Sequence, residues 1–247
     1  IELGADKIIL GVGGSATNDG GIAAASALGY TLLNSTGDEL RPVGSSMTQV
    51  TQIIKPDVQF PAIEVAVDVT NPFYGMTGAA HTYGPQKGAT DTDIETLDLG
   101  LKNLATVIEN DLGISIHGLP GAGAAGGLAG GMVAFAGAKM KSGISIVMDQ
   151  VAFEHKLRNA DLVITGEGKF DDTSMHGKVV GEVISRCNKW SKECIIVCGQ
   201  STTERNQTVF TLAEAAGSVD EAIRRPEVAL RSLIRTHILP IVYQKMK

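Results

Sequence analysis

The sequence predicts an α/β protein in which helices alternate with mainly parallel strands, and three observations support this fold class. Apolar, β-branched runs at Lys7–Leu10, Ile63–Asp68 and Cys194–Cys198 are typical of strands. Apolar residues recur every three or four positions from Ile94 to Ile108, which is the period of an amphipathic helix. After about Asp161, strand, helix and strand follow at a spacing that predicts right-handed parallel crossovers.

Capping residues predict where several helices begin. Thr92 and Glu95 have the spacing of a capping box at the start of the long amphipathic helix. Ser218 and Glu221 have the same spacing near the C-terminal end, where Pro226 is expected to start a further helix because proline is favoured in the first helical turn.

The second half of the chain has the more regular pattern. We expect a strand at Leu162–Ile164, a helix at Val179–Cys187 and a strand at Val209–Leu212. The change in rhythm predicts a domain boundary that separates residues 1–148 from residues 149–247.

Composition excludes some classes of partner. The formal net charge is −6, which is unfavourable for binding nucleic acid or an anionic membrane surface. The three cysteines, Cys187, Cys194 and Cys198, form no C-x-x-C pair, so we expect buried thiols in the reducing cytoplasm. The 30 glycines and the aromatic content of 4% indicate many tight turns and close approaches of the backbone.

A glycine-rich loop follows the first strand and leads into a helix of small residues. Such a turn offers free N–H groups to an anion. Ser15 and Thr17 add hydroxyl donors, and Asp19 adds a carboxylate. A plain strand-to-helix turn that needs glycine for positive φ explains the pattern equally well. The candidate binding residues of this loop are Gly13, Gly14, Ser15, Thr17, Asn18 and Asp19.

The same loop admits a second interpretation. Gly11, Gly13 and Ala16 satisfy the loose dinucleotide fingerprint G-x-G-x-x-A, which would make the protein a nicotinamide-dependent oxidoreductase. The acidic partner expected about 20 residues further on would be Asp38 or Glu39. Both residues lie in a polar turn, so this alternative has weaker support.

A strand end and a turn supply further candidates. Asp68 lies at the carboxyl end of a strand, the edge at which open α/β sheets bind ligands, although an Asx turn would also explain it. Asn71 follows closely. Lys87 lies in a rigid Gly-Pro-Gln-Lys-Gly turn, where it is a phosphate ligand or an ordinary surface lysine.

A second glycine-rich segment is a candidate phosphate cradle. Its letters fit G-x-G-x-x-G, but no strand precedes it, and close packing against a neighbouring element is an equal explanation. Its candidate binding residues are Gly121, Gly123 and Gly126.

A charged segment is predicted to leave the strand at Ile164 through a glycine turn. Carboxylates beside lysines at such a position suit metal-assisted phosphoryl transfer, whereas a solvated charged loop is the alternative. The candidates in this segment are Gly166, Glu167, Gly168, Lys169, Asp171, Asp172, His176 and Lys178.

Taken in order, these segments resemble the signature blocks of the glycerate kinase family of the bacterial type. The resemblance covers nearly the whole chain and is carried by the blocks Gly13–Gly21, Asp68–Pro72, Gly84–Ala89, Pro120–Gly127 and Asp161–Gly168. It implies two α/β domains with the site in the cleft between them: a Rossmann-like domain formed from both chain ends, and an inserted domain. Residues 1–148 would be most of the inserted domain, and residues 149–247 the C-terminal half of the Rossmann-like domain.

The resemblance also implies an activity, namely ATP-dependent phosphorylation of a hydroxyl of D-glycerate with Mg²⁺, with 2-phosphoglycerate as the favoured product. Asp171 or Asp68 would accept the hydroxyl proton while the other carboxylate serves the metal. Lys87 and Lys178 would neutralise phosphate charge. A non-catalytic module that binds phosphorylated metabolites stays an alternative, and self-association into a homo-oligomer is compatible with this plan.

The chain departs from the family pattern at its start and at Lys169, Phe170, Asp172, Thr173 and Ser174. Lys169 stands where the family usually has arginine, which retains the charge but loses a bidentate fork. The family's long N-terminal segment, with its own Asp-, Ser- and Lys-bearing motif, has no counterpart before Ile1. We therefore expect these residues, expressed alone, to bind ligands weakly and to turn over little.

Overall fold

The structure is a computed structural model that describes residues 4–175, 179–202 and 208–246. The described residues form a mixed α/β fold. Its strands are β1 (Lys7–Gly11), β2 (Thr31–Leu33), β3 (Gln52–Ile54), β4 (Ala62–Ala66), β5 (Lys139–Lys141), β6 (Val163–Phe170), β7 (Cys194–Ser201) and β8 (Thr208–Thr211).

Helices fill most of the remaining described chain. The α-helices are α1 (Ile22–Ala27), α2 (Ala79–Tyr83), α3 (Asp91–Leu112), α4 (Leu128–Ala136), α5 (Gly143–Gln150), α6 (Phe153–Arg158), α7 (Val179–Lys189), α8 (Leu212–Ala216), α9 (Val219–Arg224), α10 (Pro226–Leu233) and α11 (Leu239–Lys245). Short 3-10 helices occur at Gly44–Gln49, Pro85–Lys87 and Asp172–Met175, and a π-helical turn at Ile234–Ile238. No helix of the described residues is long and apolar enough to span a bilayer.

The chain divides into two compact units, residues 1–143 and residues 144–247. The sequence predicted a boundary at 148/149, within α5. The family roles expected for the two parts, an inserted domain and half of a Rossmann-like domain, stay predictions.

The first unit is built on a parallel sheet in the order β1-β4-β5. One face of this sheet packs against α4, where Ile63 and Val65 are buried with Ala129 and Met132. A second core lies under α3, because its apolar stripe buries Leu101 and other residues at helical spacing. Strands β2 and β3 form an antiparallel pair beside it.

The opposite face of the sheet carries a charged cluster. Glu64 on the central strand is only 9% exposed, and its carboxylate oxygens lie 2.7 Å from Lys7 Nζ and 2.6 Å from Lys141 Nζ. Hydrogen bonds from Lys141 and Lys7 lower the pKa of Glu64, although desolvation acts in the opposite direction. The carboxylate therefore links all three strands, since Lys7 is on β1 and Lys141 on β5.

The second unit contains the parallel sheet β6-β7-β8. On one face α7 buries Val180 and Ile184 against Ile196, and on the other Leu233 and Ile238 cover Ile195. Parallel pairing in this unit was predicted correctly. Cys187, Cys194 and Cys198 are buried free thiols, as expected.

The strand β6 corrects the sequence analysis. The predicted strand Leu162–Ile164 was to end in a glycine turn, but pairing with β7 continues from Val163 to Phe170. The glycines allow this close pairing: a Cβ on Gly166 would collide with the carbonyl oxygen of Val197. Gly166, Glu167 and Gly168 are thus strand residues.

The start of α3 also differs from the prediction. Its N-cap is Thr90, whose hydroxyl accepts a hydrogen bond from Asp93 N while Asp93 reaches back to Thr90 N. The capping box lies two residues before the predicted one. The prediction looked for glutamate at the third helical position, which is usual in a capping box, whereas aspartate occupies it here. The predictions for α9 and α10 are confirmed: Ser218 Oγ accepts from Glu221 N, and Pro226 begins α10.

Candidate active site

The carboxyl ends of β1 and β4 lie side by side, since Gly11 pairs with Ala66 in the parallel register. The loops that follow these strands therefore meet at one edge of the sheet, where α/β proteins place their ligands. Together with the turn after α2 they enclose a cavity of about 280 Å³. Its lining consists of Val12, Gly13, Gly14, Ser15, Ala66, Asp68, Val69, Tyr83, Gln86, Lys87, Ala124 and Ala125.

The loop after β1 presents backbone donors to this cavity. Within the described part of the chain, the N–H groups of Gly13, Gly14 and Ser15 donate no hydrogen bond. Gly14 adopts φ 70°, a left-handed conformation that favours glycine. Successive free N–H groups in such a turn form a concave site for an anion.

Lys87 supplies positive charge in the wall of the cavity. Its ammonium lies 2.9 Å from Ser15 Oγ and 2.5 Å from the carbonyl oxygen of Thr17. Burial lowers the pKa of Lys87, while the nearby Asp19 carboxylate acts in the opposite direction. The lysine is thus anchored to the loop after β1 and is not an ordinary surface side chain.

Asp68 lies on the opposite side of the same edge and is exposed. Its Oδ1 accepts a hydrogen bond of 2.8 Å from Gly143 N, so the carboxylate holds a distant residue and does not form the Asx turn that was the alternative. Among the described residues, Oδ2 has no hydrogen-bond partner. Ser15, Asp68 and Lys87 are therefore three predicted residues that the fold brings to one cavity.

Asp19 has a role that differs from the prediction of ligand binding. It is 7% exposed, and its carboxylate accepts hydrogen bonds from Gly21 N at 3.0 Å and Ala23 N at 3.3 Å. The helix α1 begins only at Ile22, so Asp19 already occupies the N-terminal donors that were expected to bind an anion. The free donors lie earlier, at Gly13–Ser15.

Thr17 and Asn18 do not line the first cavity as Ser15 does. Thr17 reaches Lys87 through its carbonyl oxygen. Asn18 Nδ2 donates a long bond of 3.4 Å to Ala79 O, and Asn18 Oδ1 is buried without a hydrogen-bond partner among the described residues. Asn18 lines a second, adjacent cavity.

The glycines of the second glycine-rich segment allow close packing. A Cβ on Gly123 would collide with Pro72 O, and one on Gly126 would collide with Thr17 O. A Cβ on Gly121 would lie 2.7 Å from Val67 Cγ1. The segment thus supports the two ligand loops from behind, and only Ala124 and Ala125 of it line the cavity.

Asn71 is engaged within its own loop. Its Nδ2 donates to Thr77 O at 2.8 Å and to Thr82 Oγ1 at 3.2 Å, and its Oδ1 accepts from Tyr83 OH at 2.7 Å. Asn71 therefore orients Tyr83. Tyr83 and Gln86 line the cavity and were missed by sequence reasoning, although Gln86 stands directly before Lys87 in the predicted turn.

Asp171 belongs to the second unit and has a dense local environment. Its Oδ1 accepts hydrogen bonds from the hydroxyl and N–H of Thr173 at 2.6 and 3.0 Å, and its Oδ2 lies 3.1 Å from Lys169 Nζ. The Thr173 hydroxyl and then the Lys169 ammonium lower the pKa of Asp171 to about 2. Such a carboxylate is ionised at neutral pH but is a weak proton acceptor.

The remaining predicted residues have separate locations. Glu167 lines an apolar groove of about 510 Å³ in the second unit, where its Oε1 is buried without a partner among the described residues. His176 and Lys178 lie outside the described residues. The described part of the chain contains no group of three or more His, Cys, Asp or Glu side chains that could hold a metal ion.

The dinucleotide alternative does not fit this geometry. The fingerprint Gly11–Ala16 should open a helix, but α1 starts at Ile22. Asp38 accepts hydrogen bonds from Asn34 and Thr36 within its own turn. It therefore does not lie at the end of a parallel strand, where the acidic partner of a dinucleotide is expected.

Parallel strands with a lysine, a carboxylate and free N–H groups at their carboxyl edge are the features of an α/β protein equipped to bind an anionic ligand. The model of the glycerate kinase family matches residues 1–239, and the chain belongs to this family.

Two relatives illustrate the similarity. The chain is 40% identical to the glycerate 2-kinase of Escherichia coli (strain K12) over 235 residues, which cover 91% of this chain and 62% of that protein. It is 37% identical to a glycerate kinase of Halalkalibacterium halodurans over 246 residues, which cover 95% and 65%. The chain thus spans less than two thirds of the length of these relatives.

A solved structure shows the same fold. The crystal structure of a candidate glycerate kinase 2 from Salmonella typhimurium LT2 is similar with a TM-score of 0.74 and 36% identity, over 98% of this chain and 67% of that one.

Proposed function

We propose that the protein transfers the γ-phosphoryl group of ATP to a hydroxyl group of D-glycerate, giving ADP and phosphoglycerate. The proposal rests on membership of the family, on the names of the relatives and on one structural observation. That observation is the convergence of Ser15, Asp68 and Lys87 on a single cavity at the carboxyl edge of the first sheet.

The reaction depends on neutralising the negative charge of the phosphoryl group and does not require covalent catalysis by the protein. A hydroxyl oxygen of glycerate forms a bond to the γ-phosphorus, the bond from phosphorus to the β–γ bridging oxygen breaks, and the hydroxyl proton is released. Because the transition state is loose, positioning and electrostatic stabilisation supply most of the catalysis. The N–H groups of Gly13–Ser15 and the Lys87 ammonium are suited to hold phosphoryl oxygens.

Asp68 fits the Mg²⁺ that ATP-dependent phosphoryl transfer requires. Mg²⁺ is commonly held by one or two carboxylates, several waters and the substrate phosphates, and Asp68 Oδ2, which has no hydrogen-bond partner among the described residues, is available for this role. When bound, the ion would neutralise charge on the phosphates. The Asp171 carboxylate is already engaged by Thr173 and Lys169, which makes it the weaker candidate for metal ligand or base.

The proposal also covers the product, the cellular location, the role of Lys178 and the roles of the two units. We expect 2-phosphoglycerate as the product, a cytoplasmic location compatible with three free buried thiols, and a contribution of Lys178 to phosphate charge. The two units would be an inserted domain and part of a Rossmann-like domain.

The test uses the protein expressed from its complete gene. It is incubated with ATP, Mg²⁺ and D-glycerate, and enolase is added as the reporter. Enolase dehydrates 2-phosphoglycerate directly, whereas 3-phosphoglycerate gives a signal only after phosphoglycerate mutase is added. ADP formation without either signal would exclude glycerate as the acceptor.

Two controls address the alternatives. A non-catalytic binder would show ligand-dependent thermal stabilisation without ADP release. An oxidoreductase would be stabilised by NAD in preference to ATP.

A further inference from the structure

A second cavity adjoins the candidate active site in the first unit and has a volume of about 360 Å³. It is lined by Ala16, Asn18, Gly44, Ser45, Gly84, Lys87, Gly88, Ala89, Asp93, Thr96 and Leu97. Lys87 lines both cavities. Lys87 therefore borders the sites of ligands in both cavities.

The polar groups of this cavity suit a small molecule with both a negative charge and hydroxyl groups. Two charged residues line the cavity: the Lys87 ammonium attracts an anionic group, whereas the Asp93 carboxylate is engaged by Thr90 N and Oγ1. Asn18 also lines the cavity, and a side-chain amide can both donate and accept hydrogen bonds. The exposed Ser45 hydroxyl can donate or accept.

The apolar part of the lining suits a short carbon chain. Leu97 of α3 forms one wall, and Ala16 and Ala89 form others. The cavity has room for a three-carbon acid. The apolar residues in its lining distinguish this cavity from the first one, where the N–H groups of Gly13–Ser15 favour phosphoryl oxygens.

We propose that the Asn18–Ser45 cavity is the subsite for the acceptor, a short-chain hydroxy acid. The hydroxy acid directs its carboxylate toward Lys87 and its hydroxyl groups toward Asn18 and Ser45, while the neighbouring cavity takes the phosphoryl group. This assignment rests on the proposed kinase function, and it adds Asn18, Ser45 and Leu97 as residues that determine which acceptor is used.

Filling the cavity provides the first test. In the complete protein, Ser45→Phe should raise the KM for D-glycerate by at least about tenfold, equivalent to roughly 1.4 kcal/mol of lost binding, and leave the KM for ATP within about twofold. Thr48→Phe is the matched control, because Thr48 is an exposed residue of the same short helix and lines neither cavity. It should change neither constant by more than about twofold.

Ser45→Ala, a milder change, keeps the test valid if the phenylalanine variant misfolds, and should raise the KM for D-glycerate by about threefold.

Direct binding separates failure of this subsite from failure of the kinase proposal. D-glycerate and DL-lactate are titrated calorimetrically into the protein without ATP. Loss of D-glycerate binding in Ser45→Phe but not in Thr48→Phe supports the subsite even if no phosphoglycerate is ever formed. An unchanged KM or Kd for D-glycerate in Ser45→Phe overturns it, as does an effect on ATP alone. Absence of binding of both acids to the unmodified protein would also overturn it.

Discussion

The ammonium group of Lys87 lies 2.9 Å from the hydroxyl oxygen of Ser15. This contact joins the turn after α2 to the loop after β1 and holds a positive charge in the cavity lined by Gly13, Gly14 and Ser15, whose N–H groups donate no hydrogen bond within the described chain. The lysine therefore serves the loop structurally and the cavity electrostatically, and these two roles can be separated by experiment.

Lys87→Met should lower kcat by about 10²–10³-fold, the usual cost of removing one preorganised charge from a transition state. The side chain keeps its length and apolar stem, so the fold should persist. Steady-state kinetics and a thermal melt measure the two effects. Lys102→Met, an exposed substitution on α3, is the control and should retain full activity. Equal activities of the two variants would remove Lys87 from the reaction.

Asp68→Asn should raise the Mg²⁺ concentration needed for half-maximal ADP release and lower kcat by roughly 10²-fold. The amide retains an acceptor for Gly143 N but loses the charge that the metal requires. ADP is measured by chromatography across a Mg²⁺ titration. Asp57→Asn, an exposed change in the same unit, should reproduce the unmodified titration. An unshifted Mg²⁺ dependence in Asp68→Asn would place the metal elsewhere.

Asp171→Asn distinguishes a local structural role from the catalytic role that the family resemblance implies. The carboxylate holds Thr173 and Lys169, so the variant should melt at a lower temperature than Asp172→Asn while kcat falls by less than about tenfold. A loss of about 10²–10⁴-fold in kcat with an unchanged melting temperature would instead establish Asp171 as the general base.

Glu64 should make stability depend on acid pH. Its pKa is lowered in the folded state by Lys141 and Lys7, so its contribution is fully present above the ordinary glutamate pKa of about 4.3. That contribution is lost as the pH falls from there through the folded-state pKa. Urea unfolding of the unmodified protein and of Glu64→Gln should show a constant stability difference between pH 6 and 8, narrowing below about pH 4.3. A difference that does not change with pH would show that the ion pairs contribute nothing through charge.

Elements with strong local signals could be predicted from the amino-acid sequence. The β-branched run at Lys7 and the helical period through Leu101 and Leu104 need no distant partner to be recognised, because the period of the apolar residues reflects local geometry. For the same reason the residue types of the candidate site, a serine after a strand, an aspartate at a strand end and a lysine in a turn, could be selected in advance.

The contacts of those residues follow from the fold and could not be predicted from local patterns. Lys87 meets Ser15 across a separation of 72 residues, and Asp68 holds Gly143 across 75; no local pattern encodes such contacts. Asp19 was selected as a candidate ligand residue, and in the fold its carboxylate accepts hydrogen bonds from Gly21 N and Ala23 N. The strand β6 does not end at its glycines, because it pairs with β7 from Val163 to Phe170. Pairing and packing between distant segments override local turn signals, since a backbone group buried in a sheet must find its partner there.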